Sequence, residues 1–330
     1  MPAYNTAQLI AAALDSVFQQ SLQDFEIIVV NDGSPDTVAL EAVLAPYLQR
    51  IVYIKQENKR AAGARNTAIR RAKGEFLAFL DSDDTWLPDH LNSQMKLFAE
   101  DPALGLVYCN CFAFADPART DTFMDRYTSE GPAAFDALVV ERCQIPISTV
   151  VARTSAIFTA GLFDEGLARC DDYDMWLRTA FHGAKIGYSR KVQARLNEGR
   201  PGSLGVSDAR MTEAYWIILE KAGKTLPLTA ADREIVENRA TEIRARYLLE
   251  EGKLFLRDGQ FDKAKEMFSQ ANAHLRRPRV SLILFGLKIA PRATSKLVNM
   301  ARRIRRPNPA NGVHSRSLAQ DSGGGAKPGS

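Results

Sequence analysis

Short apolar runs alternate with helical periodicity along the first part of this chain, and that alternation limits the folds open to it. Residues 25–30 and 76–80 read as buried strands and 51–55 as a third element of strand type, and helix-like patterns fill the intervals between them. Strand, polar turn and helix in succession predict an α/β fold with a mostly parallel sheet flanked by helices on both faces. In such sheets ligands bind at the carboxyl ends of the strands. The run at 76–80, Phe-Leu-Ala-Phe-Leu, is aromatic and unbroken, as a fully buried strand requires.

That run stops abruptly in Asp81-Ser82-Asp83-Asp84. Carboxylates crowded at the end of a buried strand repel one another and are costly to desolvate. A divalent cation offsets both costs. Oxygen donors with open positions suit Mg2+ or Mn2+, which keep water and accept phosphate oxygens. The same residues also suit a helix start, with Asp84 or Thr85 as cap and Pro88 in the first turn. Both roles are expected together. A similar polar end, Asn31-Asp32-Gly33-Ser34, closes the run at 25–30, so Asp32 and Asp81–Asp84 are expected to meet at one rim of the sheet.

Composition narrows the class. The 330 residues carry a net charge of only +4, which argues against a nucleic-acid partner held by overall field. Cys109, Cys111, Cys143 and Cys170 lack metal-type spacing and read as reduced thiols in a cytoplasmic protein. The start lacks the basic-then-apolar pattern of a secretory leader, and no run is long enough to span a membrane.

Further along, 6–20 has one apolar helical face, and Gly63, Arg65 and Asn66 open a helix within 58–73. Strands are expected at 105–115, 147–153 and 186–196, a flexible polar loop at 116–131, and a further loop at 200–203. A short helix at 154–161 ends at glycine. Asp171 and Asp172 head a helix that runs to His182-Gly183, where the dipole favours negative charge; capping alone would explain them equally well. From 208 onward the pattern is helical, with helices at 231–256 and 261–275 forming one tetratricopeptide-like hairpin over 245–272. Residues 276–306 are rich in Lys and Arg, hold no acid, and interleave apolar side chains. Such a segment lies on an anionic membrane surface or packs as a solvated helix end. The Gly-, Ser- and Pro-rich stretch 307–330 is expected to be disordered. The divisions are therefore 1–206, 207–306 and 307–330.

Five motifs now stand in order: Pro2-Ala3-Tyr4-Asn5, Val30-Asn31-Asp32-Gly33-Ser34, Gly63-Ala64-Arg65-Asn66, Asp81-Ser82-Asp83-Asp84, and Asp171-Asp172 followed by Trp176 and Arg178. Together they resemble glycosyltransferase family 2, over about residues 2–200. The resemblance implies the GT-A fold, a nucleotide-sugar donor, most often a UDP-sugar, and a glycan or lipid-linked acceptor. It implies that Pro2, Ala3 and Tyr4 line the nucleotide site, with Tyr4 stacked on the base and Asp32 accepting a hydrogen bond from it. Arg65 would help place the ribose or diphosphate, Asp81 and Ser82 would lie by the ribose, Asp83 would bind the metal, and Asp172 would be the general base. A sugar hydroxyl is a poor nucleophile and needs a carboxylate to take its proton. One base without a second nucleophile implies a single in-line displacement with inversion.

The chain departs from the family at Asn31 and Asp171, where relatives often have Asp and Glu, and it lacks a His near 195–199 that often ligates the metal. His182 is expected to be an ordinary helix-end residue. No Gln-x-x-Arg-Trp motif is present, which argues against a processive synthase. Only Met1 precedes Pro2, where relatives have an apolar strand, so translation is expected to begin upstream. The enzyme would be cytoplasmic and peripheral at the inner face of the membrane. An inactive transferase-like nucleotide-binding or scaffolding module is the alternative. A nucleotidyltransferase would need a Gly-rich triphosphate loop, and 2–5 is not one.

Overall fold

The computed structural model describes residues 1–113, 120–127, 129, 133–197 and 208–305. Residues 116–119, 128, 130 and 131 of the loop expected at 116–131, the loop at 200–203 and the tail at 307–330 lie outside them. Contacts divide the chain into two compact units, Met1–Glu250 and Glu251–Ser330.

The first unit is α/β. In chain order it holds β1 (Pro2–Ala3), α1 (Ile10–Phe18), β2 (Ile28–Asp32), α2 (Thr37–Leu44), β3 (Val52–Gln56), α3 (Arg60–Arg71), β4 (Phe76–Ala78) and β5 (Thr85–Trp86). Next come α4 (His90–Glu100), β6 (Leu104–Phe112), α5 (Phe135–Val139), β7 (Val150–Arg153), α6 (Thr154–Thr159), α7 (Asp171–Phe181), β8 (Lys185–Arg195) and α8 (Asp208–Thr225). The long helix α9 (Ala230–Arg257) carries the division between the units. The second unit continues with α10 (Phe261–Leu275), α11 (Pro278–Ile289) and α12 (Pro291–Arg305).

Two sheets form. One is wholly parallel in the order β1-β2-β3, with Val30 beside Ile54. The other has the order β4-β7-β6-β8-β5. Parallel pairing there is limited to β6 with β8, while β7 and β5 pair antiparallel with their neighbours. The expected α/β architecture with flanking helices is present, and the antiparallel pairs are the detail the alternation did not give.

Alternation along the central strand β6 explains how both faces are filled. Leu106 and Tyr108 join one core with Ala62 and Ile69 of α3, Ile157 of α6 and Met175, Trp176 and Leu177 of α7. Val107 and Cys111 join the other with Ile10, Leu14 and Val17 of α1, Leu40 of α2 and Phe98 of α4. A strand buried on both faces has no polar side to show, which is why it reads as an unbroken apolar run. Ile218, Leu219, Val236 and Ile243 of α8 and α9 belong to the first of these cores. All four cysteines are free thiols.

One sequence expectation fails here. Asp84 and Thr85 do not start a helix. Thr85 and Trp86 pair with Arg195 and Ala194, and α4 starts only at His90. A β-branched residue followed by an aromatic favours the pleated edge. Trp86 is then held by its indole N–H, which donates to Ser148 O at 2.7 Å, and by stacking on His90.

Candidate functional site

The turn after β2 is built around Gly33. Its φ is +63°, and a Cβ there would meet the Asn58 backbone nitrogen at 2.8 Å. The tight turn lets Asp32 face the start of α3. Asp32 Oδ1 accepts from Gln56 Nε2 at 2.6 Å and from the Lys59 backbone N–H at 2.8 Å, while Asn58 Nδ2 donates to Asp32 O. Asn31, beside it, has a structural role: its amide donates to Thr37 and Tyr53, and its carbonyl accepts from Ser34 N–H. Gly33→Ala is expected to destabilise the protein by about 1–2 kcal/mol from the left-handed backbone, with the clash added to it. Chemical denaturation checks this, and an unchanged midpoint would contradict it.

The segment after β1 ties the two acidic turns together. Asn5 takes a positive φ of 54°, and its N–H donates to Ser34 Oγ at 2.6 Å. The Ala7 N–H donates to Asp36 Oδ2, and Ser82 Oγ donates to Thr6 Oγ1 at 2.9 Å. Pro2 and Ala3 hold this segment in the sheet, and Tyr4 stands out of it, 51% exposed. An exposed aromatic ring at a sheet's carboxyl rim is open to stacking.

The acidic turn after β4 divides its work among its members. Asp84 is buried; Ser148 Oγ donates to Asp84 Oδ2 at 2.6 Å and the Asn197 N–H donates to Oδ1 at 2.8 Å. Burial, with Asp83 and Asp81 nearby, holds its carboxyl well above the usual range despite those two bonds. Asp81 accepts from Arg65 at 2.7 Å. The turn offers hard carboxylate oxygens. Among the described residues no group of three or more His, Cys, Asp or Glu side chains is arranged to hold a metal. Carboxylate oxygens are donors of the kind a hard divalent cation takes.

Arg65 links this turn to α7. The guanidinium is only 7% exposed, with one fork nitrogen on Asp81 Oδ1 at 2.7 Å and the other on Asp171 Oδ2 at 2.6 Å. Its Nε is buried without a partner among the described residues. Asp171 and Asp172 form the first turn of α7, entered through Cys170 at φ 55°. Asp172 Oδ1 accepts from the Tyr173 N–H at 2.8 Å. Burial first, then the charge of Asp171, raise the Asp172 carboxyl to about 7, while Arg65 opposes them.

Arg65, Asp81, Asp171 and Asp172 are thus brought together, with Ser82 bonded to the segment that carries Tyr4 and Asp32 bonded to the start of the helix that carries Arg65. His182 caps the far end of α7, as an ordinary helix-end residue does.

Several residues were not singled out from sequence. Ser148 and Asn197 hold Asp84, and Lys59 and Gln56 hold Asp32. A further cluster anchors α7: Asp174 accepts from Arg178 at 2.6 and 2.9 Å, and Lys221 of α8 reaches both Asp174 at 2.6 Å and Asp164 at 2.7 Å. The i,i+4 spacing of Asp174 and Arg178 was a readable signal for part of this.

Comparison with known proteins bears on the family and the fold. Residues 1–153 match the family Glycosyl transferase family 2. The chain is 31% identical over 186 residues to the Escherichia coli UDP-Glc:alpha-D-GlcNAc-diphosphoundecaprenol beta-1,3-glucosyltransferase WfaP, covering 56% of this chain and 69% of that protein. In fold it is similar to S. aureus TarS 1–349 (TM-score 0.61, 17% identity, 92% of this chain and 90% of that one), also known in complex with UDP-GlcNAc. It is likewise similar to the mannosyltransferase PcManGT from Pyrobaculum calidifontis in complex with GDP-Man and Mn2+ (TM-score 0.57, 19% identity, 92% and 84%). The chain is a glycosyltransferase and belongs to glycosyl transferase family 2.

Proposed function

We propose that the chain moves a sugar from a UDP-sugar to a hydroxyl of a lipid-linked glycan, in one displacement with inversion, at residues within 1–206. The observation that carries this reading is Asp172: a carboxyl raised to about 7, at the head of a helix, beside a second carboxyl held by Arg65. A base poised near neutrality is protonated and deprotonated with equal ease, which is what proton removal from a sugar hydroxyl needs. The donor and acceptor classes are supported by the Escherichia coli relative, whose name gives UDP-Glc and a diphosphoundecaprenol-linked acceptor.

In this reading Tyr4 stacks on the base, and Asp32, fixed by Lys59 and Gln56, accepts from the base N–H. Asp81 and Ser82 face the ribose, and Pro2 and Ala3 keep the Tyr4 segment in register. Asp83 would hold Mg2+ or Mn2+. When bound, the cation supplies positive charge to the leaving nucleoside diphosphate. Arg65 fixes Asp171, so that Asp172 is held at the rim. Asp172 takes the proton of the acceptor hydroxyl as its oxygen bonds to the anomeric carbon and the bond from that carbon to the diphosphate oxygen breaks; an in-line geometry places the attacking and leaving oxygens on opposite faces of the anomeric carbon. The lipid-linked acceptor places the enzyme at the inner face of a membrane; no helix among the described residues is long and apolar enough to cross one.

The first test is a thermal-shift panel of nucleotide sugars with and without Mn2+. A UDP-sugar together with Mn2+ is expected to raise the melting temperature; at a hundredfold excess over Kd, binding adds about 2.7 kcal/mol. No shift with any donor would contradict the reading. Rate against pH is the second. Because the Asp172 carboxyl sits near 7, transfer is expected to fall tenfold per unit below about 7 as the base is protonated. A flat profile down to pH 5 would remove Asp172 from the role.

A further inference from the structure

Large apolar side chains stand exposed on the last two helices. On α11, Leu282, Phe285 and Ile289 are 71%, 62% and 68% exposed. Their spacing places them on one face, and Val280 and Leu287, both buried, occupy the opposite one. The helix is therefore apolar on both sides, packed on one and open on the other, which a surface helix of a water-soluble fold avoids. On α12, Leu297 and Met300 are 64% and 57% exposed at i,i+3 spacing. The two helices are joined through Ala290 and packed closely, since a Cβ on Gly286 would meet Thr294 Oγ1 at 2.5 Å. Ser295 turns the other way and donates to Leu256 O of α9 at 3.0 Å.

Charge decides what covers this face. Residues 276–306 hold ten Lys and Arg and no Asp or Glu. A second copy would bring the same ten charges against them and be repelled. An anionic bilayer matches both properties, acyl chains meeting the apolar residues and headgroups meeting the basic ones. Lys288, Arg292 and Lys296 are exposed on the same helices, with stems long enough to lie along the apolar residues while the charge reaches phosphate.

We propose that Leu282, Phe285, Ile289, Leu297 and Met300 insert into the headgroup layer of an anionic membrane, with Lys288, Arg292 and Lys296 on its phosphates. The inference deepens the reading of a lipid-linked acceptor and is tested apart from it, because nucleoside diphosphate release is measured without vesicles. Co-sedimentation of the full chain with phosphatidylglycerol vesicles is expected, with little on phosphatidylcholine. L282S/F285S/I289S is expected to weaken binding tenfold or more with an unchanged melting temperature, and R292Q/K296Q to weaken it and flatten its salt dependence. F285W, a conservative change, is expected to shift its emission to shorter wavelength on phosphatidylglycerol. Equal binding of wild type and the triple serine variant would overturn the proposal. So would an F285W spectrum insensitive to vesicles, or a dimer in solution that the triple variant dissociates.

Discussion

Asp172→Asn is expected to lower the transfer rate by about 10³-fold while leaving donor affinity within about twofold of wild type. The amide has the shape of the carboxylate and still accepts the Tyr173 N–H, so the turn at the head of α7 keeps its conformation. It has no lone pair basic enough to take a proton from a sugar hydroxyl. Removing the negative charge also ends the repulsion with Asp171, so stability is expected to hold or rise. Titration of the donor into the variant separates the two roles. Loss of binding and turnover in equal measure would assign Asp172 to donor contact instead, and retained turnover would leave it without a chemical role.

Arg65→Met is expected to be the most destabilising single change at the site. The guanidinium is nearly buried and bridges Asp81 and Asp171. Removing it leaves two carboxylates facing each other without a counter-charge, and losing one partner of a buried ion pair costs about 3–5 kcal/mol. A methionine stem replaces the packing but not the fork. The second consequence is chemical. Arg65 holds the Asp172 carboxyl down against burial and Asp171, so its loss moves that carboxyl above about 7. The acid limb of the rate profile should then move to higher pH. Arg65→Lys retains the charge without the fork, and is expected to lose less stability and move the limb less. If Arg65→Met melts and titrates like wild type, the bridge has neither effect.

Much of the site was legible because its parts are local. The break from Phe76–Leu80 to Asp81–Asp84 needs no partner to be seen, and the Asp171-Asp172 pair announces itself at the head of an amphipathic helix. The helix Phe261–Leu275 falls where periodicity placed it. What was not legible depends on residues far apart in sequence. Arg65 reaches Asp171 across 106 positions and Asn197 reaches Asp84 across 113, and no spacing rule encodes either. Asp84 and Thr85 were misread for the same reason: their place ahead of Pro88 suits a cap, but the antiparallel partners Arg195 and Ala194 were available and the Ser148 carbonyl accepts a hydrogen bond from the Trp86 indole N–H. The antiparallel pairs of β7 were hidden likewise, since burial on both faces makes a strand look the same in either direction.

The central claim is that acidic residues from β2, from the turn after β4 and from α7 surround one donor molecule. Diffraction from crystals grown with Mn2+ and UDP tests it most directly. The expected result is an anomalous manganese peak within coordination distance of Asp83, with the diphosphate against it, uracil on Tyr4 and beside Asp32, and Asp172 facing the open side. Manganese and UDP bound elsewhere, or UDP bound away from Asp32 and Tyr4, would contradict it.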